Sequence, residues 1–587
     1  MSLKFVRFCI VPCLIVFTTG CASQAPRLPI VVAVSPQATA ISTGQTVHFA
    51  AMVDNDDMTE VSWSATAGNI DTDGTYTAPS GTQSTAVIVT ATIKKNPVRS
   101  ASAMIHVVAP GQVSATANPQ VALYSISPGA AGNVSVQFGS DLNYGLKTWA
   151  QPVPEPGGAV SLFVAGMKAN STYHLQGVVK FSDGTQFLDA DHPFVISSPL
   201  SAQMPTITAT TTAGMTPQSG VELLDLVTFG TTNSSPLVVT DLSGNVLWSY
   251  NSGLLGLVAN PIKLLPNGHF LINYSSGTIT DGLNSVLQEV DLAGTLIWQM
   301  TAADLNAALA AATCAGCNIT VVGTHHDFAL LPNGHLILIA ATQQNISGTT
   351  VTGDVVIDLD PNHRPVWLWN EFDHLDVNRQ PMGFPDWTHT NAIIYSVDDG
   401  NLIVSVRHQN WLLKIDYANG IGKGDIVWKL GYQGDFALMG GTDPTDWFYA
   451  QHGPSFVTTN TTGKFSLALF DNGDDRVFPS GLTCGATGVP PCLFSTVPVL
   501  QIDETTKTAT LVFNPVAPTY SFFGGNAGVL KNGNVEFCES AGGPGVAADI
   551  YEVMQDSIAQ TVWQMQIATQ YAYRGQRIPS LYPGVQW

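Results

Sequence analysis

The sequence predicts an all-β chain: a six-bladed β-propeller preceded by two small β-sandwich domains, Ig-like and fibronectin-like. Three observations lead there. Paired hairpin units recur along residues 215–587, each built as strand, glycine turn, strand. The region before them alternates apolar and polar residues in short runs broken by turn residues. No amphipathic helical runs alternate with the strands, as a parallel-sheet enzyme would require.

The chain has 587 residues, too many for one hydrophobic core. Its start, MSLKFVRFCIVPCLIVFTTGCAS, is expected to hold a lipoprotein-type signal peptide over residues 1–20. Lys4 and Arg7 form a basic patch, and the apolar run from Phe8 to Phe17 is too short to span a bilayer. Thr18, Thr19 and Gly20 lead into Cys21, the residue that would carry lipid; plain secretion and an N-terminal membrane helix are the alternatives. The expected location is outside the cytoplasm, in the periplasm or on the cell surface, anchored to the outer membrane. Membrane contact would then run through lipidated Cys21 alone, since no later segment has eighteen consecutive apolar residues.

Charged residues are only 11% of the chain and hydrophobic ones 45%, which excludes a disordered chain. A formal charge of -21 excludes a basic nucleic-acid footprint, so any anion site must be local. Three of the eight cysteines lie at the start. In an oxidising compartment Cys314 with Cys317, and Cys484 with Cys492, are expected as local disulfides. Cys538 is left as a buried small residue.

Residues 28–107 carry the runs IVVAVSP, TVHFAAMV, EVSWSAT, TAVIVTATI and SAMIHVV. With the turn GTYTAP they resemble the bacterial Ig-like modules of cell-surface proteins. Residues 112–200 repeat the pattern, and NSTYHLQGVVKF resembles a late strand of a fibronectin-like sandwich. Neither segment holds a polar cluster suited to chemistry.

From residue 215 a long period takes over. PIKLLPNGHFLINY, FALLPNGHLILIA, AIIYSVDDGNLIVSV, SFVTTNTTGKFSLAL and AGVLKNGNVEFCES turn at Gly268, Gly334, Gly400, Gly463 and Gly533. Asn-Gly and Asp-Gly readily take the left-handed angles such turns need. A second hairpin follows each, ending in Trp248, Trp298, Trp367, Trp428, Phe513 or Trp563. Two hairpins make one four-stranded blade, and six aromatic ends imply six blades with the aromatics wedged between them. The first blade's inner strand would be VELLDLVTFG, and DLNAALAAA one short helix in a connection.

The repeat serves as a ruler for the histidines. His325 lies nine residues before Gly334, His389 eleven before Gly400, whose turn is longer by two, and His452 eleven before Gly463. Three successive inner strands therefore carry His at one register, which in a propeller faces a shared axial pocket. A packing role gives no reason to keep such a register. Asn391 follows His389 at strand period and faces the same way. Arg407, in an otherwise apolar run, offers a fork for sulfate, phosphate or carboxylate oxygens. Asp327, after His325 and His326, could orient an imidazole.

Two chemistries compete. Three histidines could hold a metal with an open position, as in a metal-dependent hydrolase or lyase. Alternatively, one imidazole is a nucleophile while Arg407, Asn391 and the other histidines stabilise an anionic group in transfer. A non-enzymatic binding propeller is the third reading. The second chemistry accounts for Arg407; a metal site does not.

HHDFALLPNGHLILIA, DWTHTNAIIYS, LIVSVRHQNWLLKID, WFYAQHGPSF and the tail YRGQRIPSLYPG together resemble the bacterial arylsulfate sulfotransferase family over about 215–587. The resemblance implies a six-bladed propeller and ping-pong transfer of a sulfuryl group through a covalent histidine. It implies an aryl sulfate donor, a phenolic acceptor, no nucleotide sulfate donor, no cofactor and no metal. His452 matches the nucleophile, His389 and Asn391 the H-x-N motif, and Arg407 the arginine before His-Gln. The remaining histidine is His325 or His326, and the register favours His325. Trp387, Trp447, Phe448 and Tyr449 flank the motifs and are expected to stack on aryl rings or exclude water.

Overall fold

The computed structural model describes residues 28–56, 59–154, 156–197, 204–228, 236–276, 284–542 and 546–587. The expected signal peptide and Cys21 lie outside them. Strand makes up 49% of the chain and helix 4%, so the protein is all-β. Strands over Val31–Val108 enclose a core of Phe49, Tyr76, Val87, Val89, Ile105 and Val107. Strands over Gln112–Ile196 enclose another around Tyr124, Val136, Phe138, Leu162 and Leu175.

That second core does not end at residue 196. It continues into Val239, Trp248, Ile262 and Phe270, and into the tail residues Leu581, Tyr582 and Val585. The tail is bound by hydrogen bonds as well. Tyr582 donates to the Phe163 carbonyl at 2.8 Å and accepts from the Ala165 amide at 2.7 Å, and the Trp587 indole donates to Lys147. The second segment is thus packed onto the C-terminal region.

Beyond residue 205 the described strands form six open sheets of at least four strands, antiparallel except for Ala437–Met439, which pairs parallel with Thr508–Phe513. The turn glycines 268, 334, 400, 463 and 533 all have φ between 70° and 88°, where only glycine is unstrained. The strands at one edge of the sheets are β1 (Val258–Leu264), β2 (Val321–Leu330), β3 (Thr390–Ser396), β4 (His452–Thr461), β5 (Asn526–Val529) and β6 (Tyr571–Ile578). Each touches the next in this order, and β6 touches β1. Val221–Val227 was the expected inner strand of the first unit. It is instead the second strand of its sheet, because the C-terminal β6 pairs along its free edge.

The aromatic ends reach across to the following sheet. The Trp248 indole donates to the Leu292 carbonyl, Trp367 to Gly422, Trp428 to Glu504 and Trp563 to Leu242, the last linking the final sheet to the first. Trp298 stacks on His363 at 3.9 Å, and Phe513 packs with Tyr551 and Val553. Trp563→Phe keeps most of the ring contact but leaves the Leu242 carbonyl unpaired. It is expected to cost about 1–3 kcal/mol and to lower the thermal midpoint by a few degrees without changing the active site, which differential scanning calorimetry will read.

The short helix forms at Ala302–Ala311, started by a capping box in which Thr301 and Asp304 bond each other's amides. Cys314 is bonded to Cys317 and Cys484 to Cys492; Cys538 is buried and free.

Candidate active site

The first four residues of β4 set the position of His452. Its side chain is 2% exposed, and a bulge between His452 and Ser455 breaks the pairing with the neighbouring strand. The Nδ1 atom lies 2.7 Å from Asn472 Oδ1. Asn472 has no choice of orientation, because its Nδ2 donates to the carbonyls of Ser521 and Gly524 at 2.7 and 3.1 Å. Its oxygen must therefore accept, and His452 Nδ1 must carry the proton. That leaves the Nε2 lone pair free. Burial, then the Arg407 charge, push the His452 pKa well below the usual imidazole value, so the ring is neutral at pH 7.

Arg407 sits in a one-turn helix after the second strand of β3's sheet. Its Nη1 donates to His408 Nε2 at 2.7 Å, and its Nη2 to Asp474 Oδ2 at 2.8 Å and the Phe522 carbonyl at 3.1 Å. Since His408 Nε2 accepts, its Nδ1 donates to the Asp386 carbonyl at 2.6 Å. The His408 ring stacks on His389 with centroids 4.6 Å apart. His389, at φ 52°, places Nδ1 2.5 Å from Asp386 Oδ2. A left-handed non-glycine residue here is backbone strain at a site of function. Asp386, His389 and His408 bring ligand atoms within 4.8 Å of one another. His408 faces Asp386 Oδ2 with Nδ1, at 4.0 Å, so a cation placed there would have to displace that nitrogen's hydrogen bond to the Asp386 carbonyl.

On β2 the strand bulges between Thr324 and Phe328, and His326 has φ 57°. The bulge re-aims the pair of histidines. His326 turns to His389, with ring centroids 4.8 Å apart, and to Tyr573 at 5.8 Å. His325 turns away and bonds Asp354 at 2.9 Å. The register favoured His325; the structure instead brings His326 to the other imidazoles. Burial lowers the pKa of His326 and His389 well below the usual value, and neighbouring imidazoles add to the effect.

The last strand adds two groups. Tyr573 and Arg574 occupy a bulge on β6, and the Tyr573 ring meets His452 edge-on at 5.9 Å. Arg574 bonds Asp327 at 3.3 Å and the Asn391 carbonyl at 3.2 Å. Asp327, expected to orient an imidazole, is taken up by Arg574 and Lys263 instead. Asn391 donates from Nδ2 to the Gln451 carbonyl at 2.7 Å. Among the described residues, Arg407 Nε, Arg574 Nε, the Tyr573 hydroxyl, Asn391 Oδ1 and Asp386 Oδ1 are buried without partners in this region. Three of these are donors and two belong to cations, a set suited to an anionic group.

The sequence model of the Arylsulfotransferase (ASST) family matches residues 209–574, more than half of the chain. The chain belongs to the arylsulfotransferase family. Membership supports arylsulfotransferase activity in general and implies a sulfotransferase enzyme. No curated protein matches the chain. Solved structures of similar backbone are distant. One is a candidate 6-phosphogluconolactonase from Bacteroides uniformis, with TM-score 0.32, 9% identity, and 61% of this chain and 99% of that one covered. Another is an ACO/RPE65 chimera, with TM-score 0.30, 12% identity, and 80% and 94% covered. A third is the ICAM-5 D1–D4 ectodomain fragment, with TM-score 0.19, 10% identity, and 57% and 100% covered. At such TM-scores none bears on this arylsulfotransferase.

Four expected substrate-stacking aromatics take a different place. Trp447, Phe448 and Tyr449 lie in the core with Trp428 and Phe465, and Trp387 donates its indole to the Arg379 carbonyl. None is more than 2% exposed, a burial that fits the expected exclusion of water better than stacking on an aryl ring. Sequence reasoning gave no role to Asn472, Asp386, Asp354, Tyr573 or Arg574. The last two lay in plain view within the tail YRGQRIPSLYPG, where a tyrosine and arginine begin a strand otherwise suited to pairing.

The depressed imidazoles have a pH consequence. His326, His389 and His452 are held neutral in the fold but protonate below about pH 6.5 once unfolded. Their contribution to stability is therefore present above pH 6.5 and lost as pH falls. Each proton costs about 1.4 kcal/mol per pH unit below that point. Thermal midpoints measured from pH 8 to 5 should fall on the acid side, and His326→Gln should flatten part of that fall.

Proposed function

We propose that this arylsulfotransferase moves a sulfuryl group from an aryl sulfate to a phenolic acceptor through a sulfohistidine at His452, with no nucleotide sulfate donor. The six sheets are read as the blades of a six-bladed propeller. The contact of β6 with β1 and the Trp563 link support that reading. The two segments before them are read as Ig-like and fibronectin-like sandwiches, over 28–107 and 112–200, that wall and carry the propeller of 215–587. Export and lipid attachment at Cys21 belong to the same proposal.

The observation that carries the reaction is a neutral His452, its Nδ1 proton held by Asn472, close to the unpartnered donors of Arg407, Arg574 and Tyr573. Nε2 attacks sulfur, and the bond from sulfur to the aryl oxygen breaks with its electron pair on oxygen. Arg407, Arg574 and Tyr573 hold the sulfuryl oxygens, with Asn391 beside them. The entering sulfate ester brings a negative charge against His326 and His389, which favours their imidazolium forms. One of them then gives its proton to the leaving phenolate. A phenol enters, returns a proton to that imidazole, and its oxygen takes the sulfuryl group from Nε2.

The aryl ring rests against a wall that the core aromatics do not supply. Phe522 accepts from Arg407 through its carbonyl and has its side chain half exposed. Its ring lies 4.9 Å from Phe523, which meets Tyr571 at 5.5 Å, two residues along β6 from Tyr573. The test is direct: incubate the purified chain with p-nitrophenyl sulfate, with and without a phenol. Release of p-nitrophenol that rises with phenol, matched by a new aryl sulfate, is the expected result. Activity lost with a chelator and regained with a divalent ion would contradict it.

A further inference from the structure

We propose that His325 and Asp354 form a positioning relay behind His326, fixing which nitrogen of His326 holds its proton and raising that ring's basicity toward the aryl oxygen. The inference rests on the sulfotransfer reading for its chemistry, though not for its geometry.

The relay is built from fixed donors. Asp354 is 1% exposed, and its Oδ2 accepts from the Thr390 amide at 2.6 Å and the Thr388 hydroxyl at 2.9 Å. Its Oδ1 lies 2.9 Å from His325 Nε2. A carboxylate that already accepts twice accepts here too, so His325 carries its proton on Nε2. Neutral His325 then has a lone pair on Nδ1. That atom lies 2.7 Å from His326 Nδ1, and one proton must sit between them. His326 Nδ1 therefore donates, and its open nitrogen is Nε2. Adjacent residues of a regular strand point to opposite faces. The bulge and the left-handed His326 let this pair bond each other and still send one ring forward.

Charges around His326 come from several elements. His325 and Asp327 lie on its own strand, His389 on β3's approach, His452 on β4, and Tyr573 and Arg574 on β6. Arg574 is paired with Asp327. The Asp354 charge, passed through the polarised His325, works against the neighbours that disfavour imidazolium at His326. His326 keeps its Nδ1 proton throughout. Its Nε2 proton goes to the leaving oxygen as the sulfur–oxygen bond breaks, and returns from the acceptor phenol as the new bond forms. Asp354 stays a carboxylate.

Only leaving groups that need a proton will feel the relay. The full-length chain, labelled with ¹⁵N-histidine, should show His325 as the Nε2–H tautomer and His326 as the Nδ1–H tautomer, assigned by signals lost in His325→Gln and His326→Gln. Across a series of substituted phenyl sulfates, Asp354→Asn and His325→Gln should lower kcat about 10²-fold for poor leaving groups, yet less than about threefold for p-nitrophenyl sulfate. The opposite tautomers, or an equal loss across the series, would overturn the relay. A wild-type chain that transfers nothing would sink the sulfotransfer reading, while the tautomers would still decide the relay.

Discussion

His452→Ala is expected to abolish sulfuryl transfer, with a loss of at least about 10⁴-fold in rate at every pH where the wild type works. No other imidazole can take over. His325 and His408 have both ring nitrogens bonded, His326 and His389 are given to proton transfer, and His452 presents its Nε2 while Asn472 holds its Nδ1 proton. The fold should survive, because Asn472 keeps both carbonyl partners and the cavity left is one imidazole. Circular dichroism and p-nitrophenol release, measured on the same preparation, separate lost chemistry from lost structure. Retention of more than a small fraction of wild-type turnover would move the nucleophile elsewhere.

Arg407→Lys is expected to cost about 10²- to 10³-fold in kcat with little change in stability. Lysine keeps the charge beside Asp474, so no buried carboxylate is stranded. It cannot reproduce the fork, in which one guanidinium bonds His408, Asp474 and the Phe522 carbonyl and still has Nε to offer. His408 then loses the donor that fixes its tautomer, and with it the stacked support of His389. The sulfuryl oxygens lose a directed donor where charge builds. Steady-state kinetics should show the fall in kcat rather than in KM. A variant at wild-type kcat would confine Arg407 to linking strands.

The sheets were legible in the sequence because each depends on local chemistry. A glycine at φ near 80° cannot be replaced cheaply, so Asn-Gly turns mark the hairpins at Gly268, Gly334 and Gly533. The indoles of Trp248, Trp428 and Trp563 mark the junctions. The imidazole register was legible for the same reason: the repeat itself measures it. What escaped was everything set by bulges and long-range pairing. That same register named His325 for the site, and one bulge with a left-handed residue gave the place to His326. Asn472 and Asp354 act on residues 20 and 29 positions away, across strand pairs that no local pattern announces. The first inner strand was misplaced because a strand from the far end of the chain takes its edge. Trp447, Phe448 and Tyr449 had the composition of a binding wall, but a large ring beside a site is as easily core.

The central claim is that sulfur is transiently bonded to one named nitrogen. Intact mass of the chain quenched after mixing with p-nitrophenyl sulfate alone, followed by peptide mapping, reads this directly. The account predicts a gain of about 80 Da, for one SO₃, located on His452 and discharged on adding a phenol. Turnover with no adduct on any residue, or an adduct on a residue other than His452, would contradict it.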